Sequence, residues 1–476
     1  MKKKTLLILT IILTACLLVF TMSACGGNNE SDSQLHVHKY IELKSNKTEH
    51  WYECSCGEKS VTESHKGGTA TTTDKAKCSI CNSEYGELEK AATAGLVFTL
   101  NENNTEYAIT GYTGNSADVY IPALYNGKPV TRIAKRAFSR NLNIKTVEFS
   151  NRMVFLGGYA FYNCPNLKSV IIPNSVRMLG ESVFESCYSL TSATIGSGVE
   201  IISKYAFYKC ESLNSVIMLD GVKMIDDYAF KNCKSLSKVE IPNSVKNIGE
   251  EAFYNCLSLE IIEIPNSVET IGGYAFYGCN NLTEITLPFI GYSNSSTGRN
   301  SVFGYIFGCK TSTSLDKISG ATYQYYDSSR TDFFDFFCHY YIPTSLRKVK
   351  ITSTNSINNL AFYNCSMLTS ITIGDSVTNI GSYAFYNCSS LETLEISNSV
   401  TSINNHAFEY CDNLDIVYYG GTITEWDKIT VSDYNTLLTS STIYFYVKNE
   451  IDLPADDGNY WHYVDGVPTV WTKPED

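Results

Sequence analysis

The chain has 476 residues, of which 18% are charged, with 49 acidic side chains against 37 basic ones and a net charge of −12. That length exceeds one ordinary core, so several modules or one elongated module are expected. The acidic balance offers no basic stripe to neutralise phosphates, which argues against a nucleic-acid partner.

Lys2, Lys3 and Lys4 lead into an apolar run from Leu6 to Phe20, then MSAC at 22–25 and the polar GGNNESDSQ. This is the layout of a secretory signal rather than of a fold element. The small residues before Cys25 resemble a bacterial lipobox, in which the cysteine is lipidated and becomes the mature N-terminus. LTAC at 13–16 has the same form, but apolar residues follow Cys16, whereas a polar tether follows Cys25. The reading is a lipoprotein signal peptide at 1–24, a lipid anchor on Cys25 and a tether at 25–35, with an uncleaved membrane anchor as the alternative. Either places the rest of the chain outside the cytoplasm, at the cell surface. No later stretch is long and apolar enough to span a bilayer.

Residues 36–90 form a small Cys/His-rich module. It holds Cys54-x-Cys56-Gly57 and Cys78-x2-Cys81, with His36, His38, His50 and His65 nearby. Two short cysteine pairs some distance apart can close one tetrahedral zinc site. A module this small has too little core to stand without a staple. One structural Zn supplies a staple, two disulfides in an oxidising location supply another, and free thiols are the third reading. The expected ligands are Cys54, Cys56, Cys78 and Cys81, with His38 and His65 as substitutes or second-site ligands. The segment resembles a zinc-ribbon-like module that often precedes leucine-rich repeats in bacterial surface proteins. Relatives tend to show ATC where this chain has Ala70-Thr71-Thr72, a departure in the implied ligand set.

A lead-in at 91–129 precedes a repeat at 130–419. Cys164, Cys187, Cys210, Cys233, Cys256 and Cys279 recur every 23 residues, and Cys365, Cys388 and Cys411 resume the spacing. Phe stands three residues before each and Leu three after; Asn141 takes the cysteine place in a first unit. Each unit reads as a strand (Leu213, Val216 and Met218 inward, Ser215 and Ile217 outward), an NSV turn, a V-x-x-I segment and an A-F-x-x-C segment expected as a short helical turn. One unit cannot bury its apolar face alone, so units stack into a solenoid. Rungs about 4.8 Å apart make cysteine pairing awkward, and the Asn at one unit points to a small semi-polar packing slot.

These motifs resemble the BspA-type leucine-rich repeats of bacterial surface proteins over about 95–445, including the lead-in GLVFTLNENNTEYAITGYTG and the closing VYYGGTITEWDKI. The resemblance implies an α/β repeat solenoid with a parallel β-sheet. It also implies a protein of the cell surface that binds a protein or glycan of a host or neighbouring cell, with adhesion the expected role. The alternative is a structural envelope scaffold without a soluble ligand; oligomeric state is left open. No G-x-S-x-G, H-E-x-x-H or phosphate-cradling glycine loop is present, and the chain is read as not an enzyme.

Extended concave faces are how solenoids bind partners. The ligand-binding residues expected there are Ser215, Ile217, Lys238, Glu240, Ile261, Glu263, Glu284, Lys348 and Lys350. The period breaks at 290–345, where aromatics crowd: Tyr323, Tyr325, Tyr326, Phe333, Phe334 and Phe336. Two readings stand for them, a loop folding its aromatics onto the solenoid or a protruding contact surface. Residues 420–476 are read as the C-terminal cap and tail, with 447–476 either a terminal cap or a sticky tail.

Overall fold

A computed structural model describes residues 40–54, 57–67, 75–85, 90–310, 322–325, 337–454, 456 and 458–472. Two compact units divide between Ala91 and Ala92. Cys25, His38, Cys56, Tyr326, Phe333, Phe334 and Phe336 lie outside the described residues. Among the described residues, no helix is long and apolar enough to cross a membrane.

The first unit is built from β1 (Tyr40–Ser45), β2 (Glu49–Cys54), β3 (Glu63–Ser64), β4 (Ala76–Lys77) and β5 (Glu84–Tyr85). The order β1-β2-β3 is antiparallel, and β4 pairs with β5. Among its described residues the buried side chains are His50, Cys54, His65, Ala76 and Cys78. The described part thus has almost no apolar core.

The second unit is a coil of stacked turns. Each turn contributes one longer strand to one side and one two-residue strand to another. Ser169–Ile172, Ser192–Ile195 and Ser215–Met218 pair in parallel, each residue facing the one 23 positions on. The short strands Ile201–Ile202, Met224–Ile225 and Asn247–Ile248 pair in the same way. Period-2 alternation puts Val216 and Met218 inward and leaves Ser215 and Ile217 in solvent, as the strand pattern predicts. Leu213, Val222, Ile225, Ala229, Phe230 and Cys233 complete the buried side of one turn. Phe rings stack along the axis: Phe184–Phe207 and Phe207–Phe230 have centroids 5.4 and 5.3 Å apart.

The A-F-x-x-C segment is not a helical turn. Its amides alternate between two kinds of acceptor. Tyr208 and Cys210 donate within their own turn, to Tyr205 and Phe207, while Phe207 and Lys209 donate to Ala229 and Lys231 of the next one. This alternation needs left-handed residues at Tyr205 and Lys209, both with φ 58°. An α-helix would direct those amides inward along its own axis and leave the next coil's carbonyls without donors. Among the described residues, α-helix is confined to Ile423–Trp426 and Thr436–Ser440. Gly180 marks how close successive coils come: a Cβ there would lie 2.1 Å from the amide nitrogen of Gly158.

The nine cysteines that recur in the repeat are free thiols with no exposure to solvent. Each of Cys164, Cys187, Cys210 and Cys233 donates its S–H to the carbonyl of the Phe one coil earlier, at 3.1–3.2 Å. Asn141 sits where no such coil precedes it; its side-chain oxygen instead accepts the amides of Asn143 and Ile144. The slot is small and semi-polar because it must fill space and satisfy one carbonyl.

At the interruption the long-strand ladder does not break. Glu284–Leu287 pairs directly with Lys348–Ile351. The extra chain leaves from the turn side, where Phe303 takes a place in the ring stack, 4.7 Å from Phe362. Gln324, fully buried, accepts from the Gly304 amide and donates to the carbonyl of Tyr363, standing in for a missing coil's backbone.

The C-terminal segment is a cap. Thr442–Tyr446 extends the long-strand sheet, and Tyr460–Val464 with Val467–Val470 closes it as a hairpin. Asp465 and Gly466, both at positive φ, make its two-residue turn. Trp461 is buried, its indole N–H donating to the Tyr419 carbonyl at 2.9 Å.

Candidate recognition surface

Strand pairing sets the outward side chains of the second unit in rows. Ile171, Thr194, Ile217 and Glu240 stand in register across one sheet. Glu263, Thr286, Lys350, Thr372, Glu395, Tyr418 and Tyr444 continue across the other. Beside them Ser215 and Lys238 form one parallel row, and Ile261, Glu284 and Lys348 another. All nine strand-face residues expected from the sequence therefore lie on outward positions, with Glu284 half-buried and the others exposed.

The chemistry changes along the face. Its first part carries Ile171 and Ile217, 68% and 54% exposed, and Ile261, 50% exposed, stands one strand beyond Lys238–Glu240. Backbone pairing holds each isoleucine in place, so little order need be gained when a partner covers it. The middle is charged. Lys238 and Glu240 form an exposed ion pair at 2.7 Å, and its hydrogen bond pulls the Glu240 carboxyl below its ordinary range. Such a pair adds little stability on its own, so it is open to exchange for a partner's charges.

Between Lys238–Glu240 and Ile261–Glu263 the two sheets part without ladder pairing. The opening has a volume of about 600 Å³ and is lined by Ser237, Lys238, Glu240, Ile241, Ile261 and Glu263.

The last part is an alcove of about 390 Å³, with Lys350, Asp375, Glu395, Tyr446, Trp461 and Tyr463 among its lining residues. The Tyr463 hydroxyl donates to Glu395, so the terminal hairpin reaches back over the face. Burial first, and then this bond, raise the Tyr463 phenol above its ordinary value. Tyr418, Tyr444 and Tyr463 were not among the expected ligand-binding residues. The Asp465-Gly466 pair between alternating apolar residues is the sequence signal that announces this hairpin.

Tyr323 and Tyr325 are half-buried on the turn side. Their rings lie 6.5 and 5.1 Å from Tyr363, so they pack onto the aromatic column of the coil and stand apart from the strand face. In the first unit Cys78, Cys81 and His65 come together with His50, while Cys54 is not of the group. Cys54 ends β2 four residues beyond His50, about 13 Å along an extended strand.

The chain matches the BspA type leucine rich repeat region, in six copies, over residues 120–223, 200–319 and 335–448. No curated protein matches it. Among solved structures it is similar to a leucine rich cell surface protein of Faecalibacterium prausnitzii A2-165, 24% identical over 72% of this chain and 98% of that one, with a TM-score of 0.32. A leucine-rich repeat protein of Bacteroides ovatus ATCC 8483 is 21% identical over 75% and 99% of the two chains, with a TM-score of 0.32. A leucine rich repeat protein of T. pallidum is 19% identical over 68% and 91%, with a TM-score of 0.26. By its repeats, the chain belongs to the BspA-type leucine-rich-repeat family.

Proposed function

We propose that this is a lipid-anchored adhesion protein of the bacterial cell surface. It is held by a lipid on Cys25 and binds a protein or glycan of a host or neighbouring cell across the strand face. The observation that carries the reading is the set of exposed isoleucines Ile171, Ile217 and Ile261, fixed on paired strands next to the Lys238–Glu240 pair. Apolar side chains held in solvent on alternate rungs of a solenoid's strand face support its use as a contact surface. A binding scaffold rather than a catalyst is also what the repeat family suggests.

The test is binding of the purified chain to host cells, extracellular-matrix proteins and a glycan array, followed by variants against whatever is captured. Ile217→Asp with Ile261→Asp is expected to weaken binding at least about tenfold, the scale of losing two buried apolar contacts. Glu263→Lys is expected to change its salt dependence. Unchanged binding in these variants rules out the strand face. No capture of any host molecule, with self-association and an envelope defect on deletion, favours the scaffold role.

A further inference from the structure

The first unit has a set of four side chains that the cysteine spacing alone does not identify. His50, His65, Cys78 and Cys81 place their ligating atoms within 4.8 Å of one another. The Cys78 sulfur is 3.7 Å from His50 Nδ1, and the Cys81 sulfur is 3.5 Å from His65 Nδ1. A tetrahedral ion with metal–sulfur bonds of about 2.3 Å and metal–nitrogen bonds of about 2.1 Å holds S and N about 3.6 Å apart. The two observed distances straddle that value.

The surroundings are those of a ligand shell. Both imidazoles turn Nδ1 inward, and His65 has a hydrogen-bond partner for its other nitrogen. His65 Nε2 bonds the Asn46 carbonyl at 2.9 Å, and His50 Nε2 lies 4.0 Å from a Glu63 carboxylate oxygen. A hydrogen-bonded outer partner fixes the ring and the tautomer of a metal-bound histidine. At the other corner the Ile80 amide points at the Cys78 sulfur, 3.5 Å away, and Asn82 at φ 56° turns the chain around it. His50, His65 and Cys78 are buried, in a unit whose described residues offer only Cys54 and Ala76 as further buried side chains. Something other than apolar packing must hold these strands together.

We infer that His50, His65, Cys78 and Cys81 bind one zinc ion as a closed, structural His2Cys2 site, with the Asn46 carbonyl orienting His65. Two thiolates and two imidazoles in a tetrahedral set favour Zn2+ over hard cations. Four protein ligands leave no position for substrate, so the ion staples the unit and catalyses nothing. Strand pairing assembles the set: β2 and β3 align His50 with Glu63, which brings His65 beside it, and the Cys78–Cys81 turn closes over both. Cys54 has no part in it.

The test is metal titration of the whole purified chain, stripped with chelator under reducing conditions and then given Co2+ followed by Zn2+. One Co2+ per chain is expected, with a thiolate charge-transfer band and visible absorption of tetrahedral cobalt, both abolished by one equivalent of Zn2+. His50→Ala and Cys81→Ser are expected to weaken binding by about a hundredfold or more. Cys54→Ala is expected to leave the spectrum and the affinity unchanged. His50→Cys distinguishes a ligand from a support: it keeps one metal per chain and strengthens the charge-transfer band. The far-ultraviolet spectrum of the repeats reports that each variant is folded elsewhere. The inference is overturned if cobalt gives no charge-transfer band, or if Cys54→Ala abolishes the band as His50→Ala does. It is equally overturned if the native chain carries a Cys78–Cys81 disulfide and binds no metal once reduced.

Discussion

If the repeat cysteines are packing material, their thiols must be chemically silent in the folded protein, and the structure sets how silent. Burial pushes the Cys164, Cys279 and Cys411 thiols up to about 12, and raises those of Cys187, Cys233, Cys256 and Cys388 well above the ordinary value. Cys309, outside the ladder and half-buried, moves the other way. The Cys338 thiol donates to it and, with Arg299 nearby, brings it down to about 7. At pH 8 the thiolate, which is the reactive form, is about one molecule in ten thousand at Cys164 and about nine in ten at Cys309. Ionisation alone separates the two by a factor of about 10⁴, before access is considered. Brief iodoacetamide treatment at pH 8, read by mass spectrometry on peptides long enough to separate the four AFYNC copies, is expected to label Cys309 and spare the ladder. In guanidinium all of them label. A ladder cysteine that reacts within about tenfold of Cys309 in the native chain, or a disulfide such as Cys164–Cys187, refutes the packing role.

The same burial ties stability to pH. A thiol whose folded value is raised contributes stability that is present below its unfolded value of about 8.5 and is lost as pH rises toward the folded one. The unfolding free energy measured in urea is therefore expected to fall between pH 8 and pH 10, by about 1.4 kcal/mol per pH unit for each thiol that ionises only on unfolding. The decline should become shallower in Cys210→Ala/Cys233→Ala; a flat profile contradicts it. Phe207, stacked between Phe184 and Phe230, gives a separate check on the core. Phe207→Ala is expected to cost about 3–5 kcal/mol in urea unfolding. Phe207→Leu, which keeps much of the volume and loses two ring contacts, should cost about 1–3 kcal/mol. A cost below about 1 kcal/mol for the alanine variant places the ring outside the core.

What could be read from the sequence was whatever repeats locally. The inward set Leu213, Val216 and Met218, the outward Ser215 and Ile217, and the role of the cysteine slot all follow from a period and an alternation. The turn segment could not be read so, because half of its amides bond to the next coil; within its own residues the choice between a helical turn and open turns is undetermined. His50 was passed over for a related reason. Counting along the chain groups Cys54 with Cys56, whereas pairing between Glu49–Cys54 and Glu63–Ser64 sets His50 against Glu63 and next to His65. The alcove under Tyr463 depends on a hairpin folding back onto Glu395, a contact between residues 68 positions apart. Local pattern carries no record of such a meeting.

Because the ladders between Thr146 and Thr286 all run at an interval of 23 residues, their register survives the loss or gain of whole coils there. Removing residues 188–210 joins Cys187 to Glu211 and sets Phe230 against Phe184, each with a partner of the same kind it had before. Removing one residue fewer leaves the coil at the junction a residue out of step, so that its strand must turn its wrong face inward or bulge the difference out in a turn. Gene segments that encode AFYNC four times over are natural substrates for unequal recombination. Its in-step products would be shorter or longer solenoids with new spacings between the exposed isoleucines and the alcove. The strict period thus gives a lineage a means of changing reach by whole steps while leaving each step's chemistry intact.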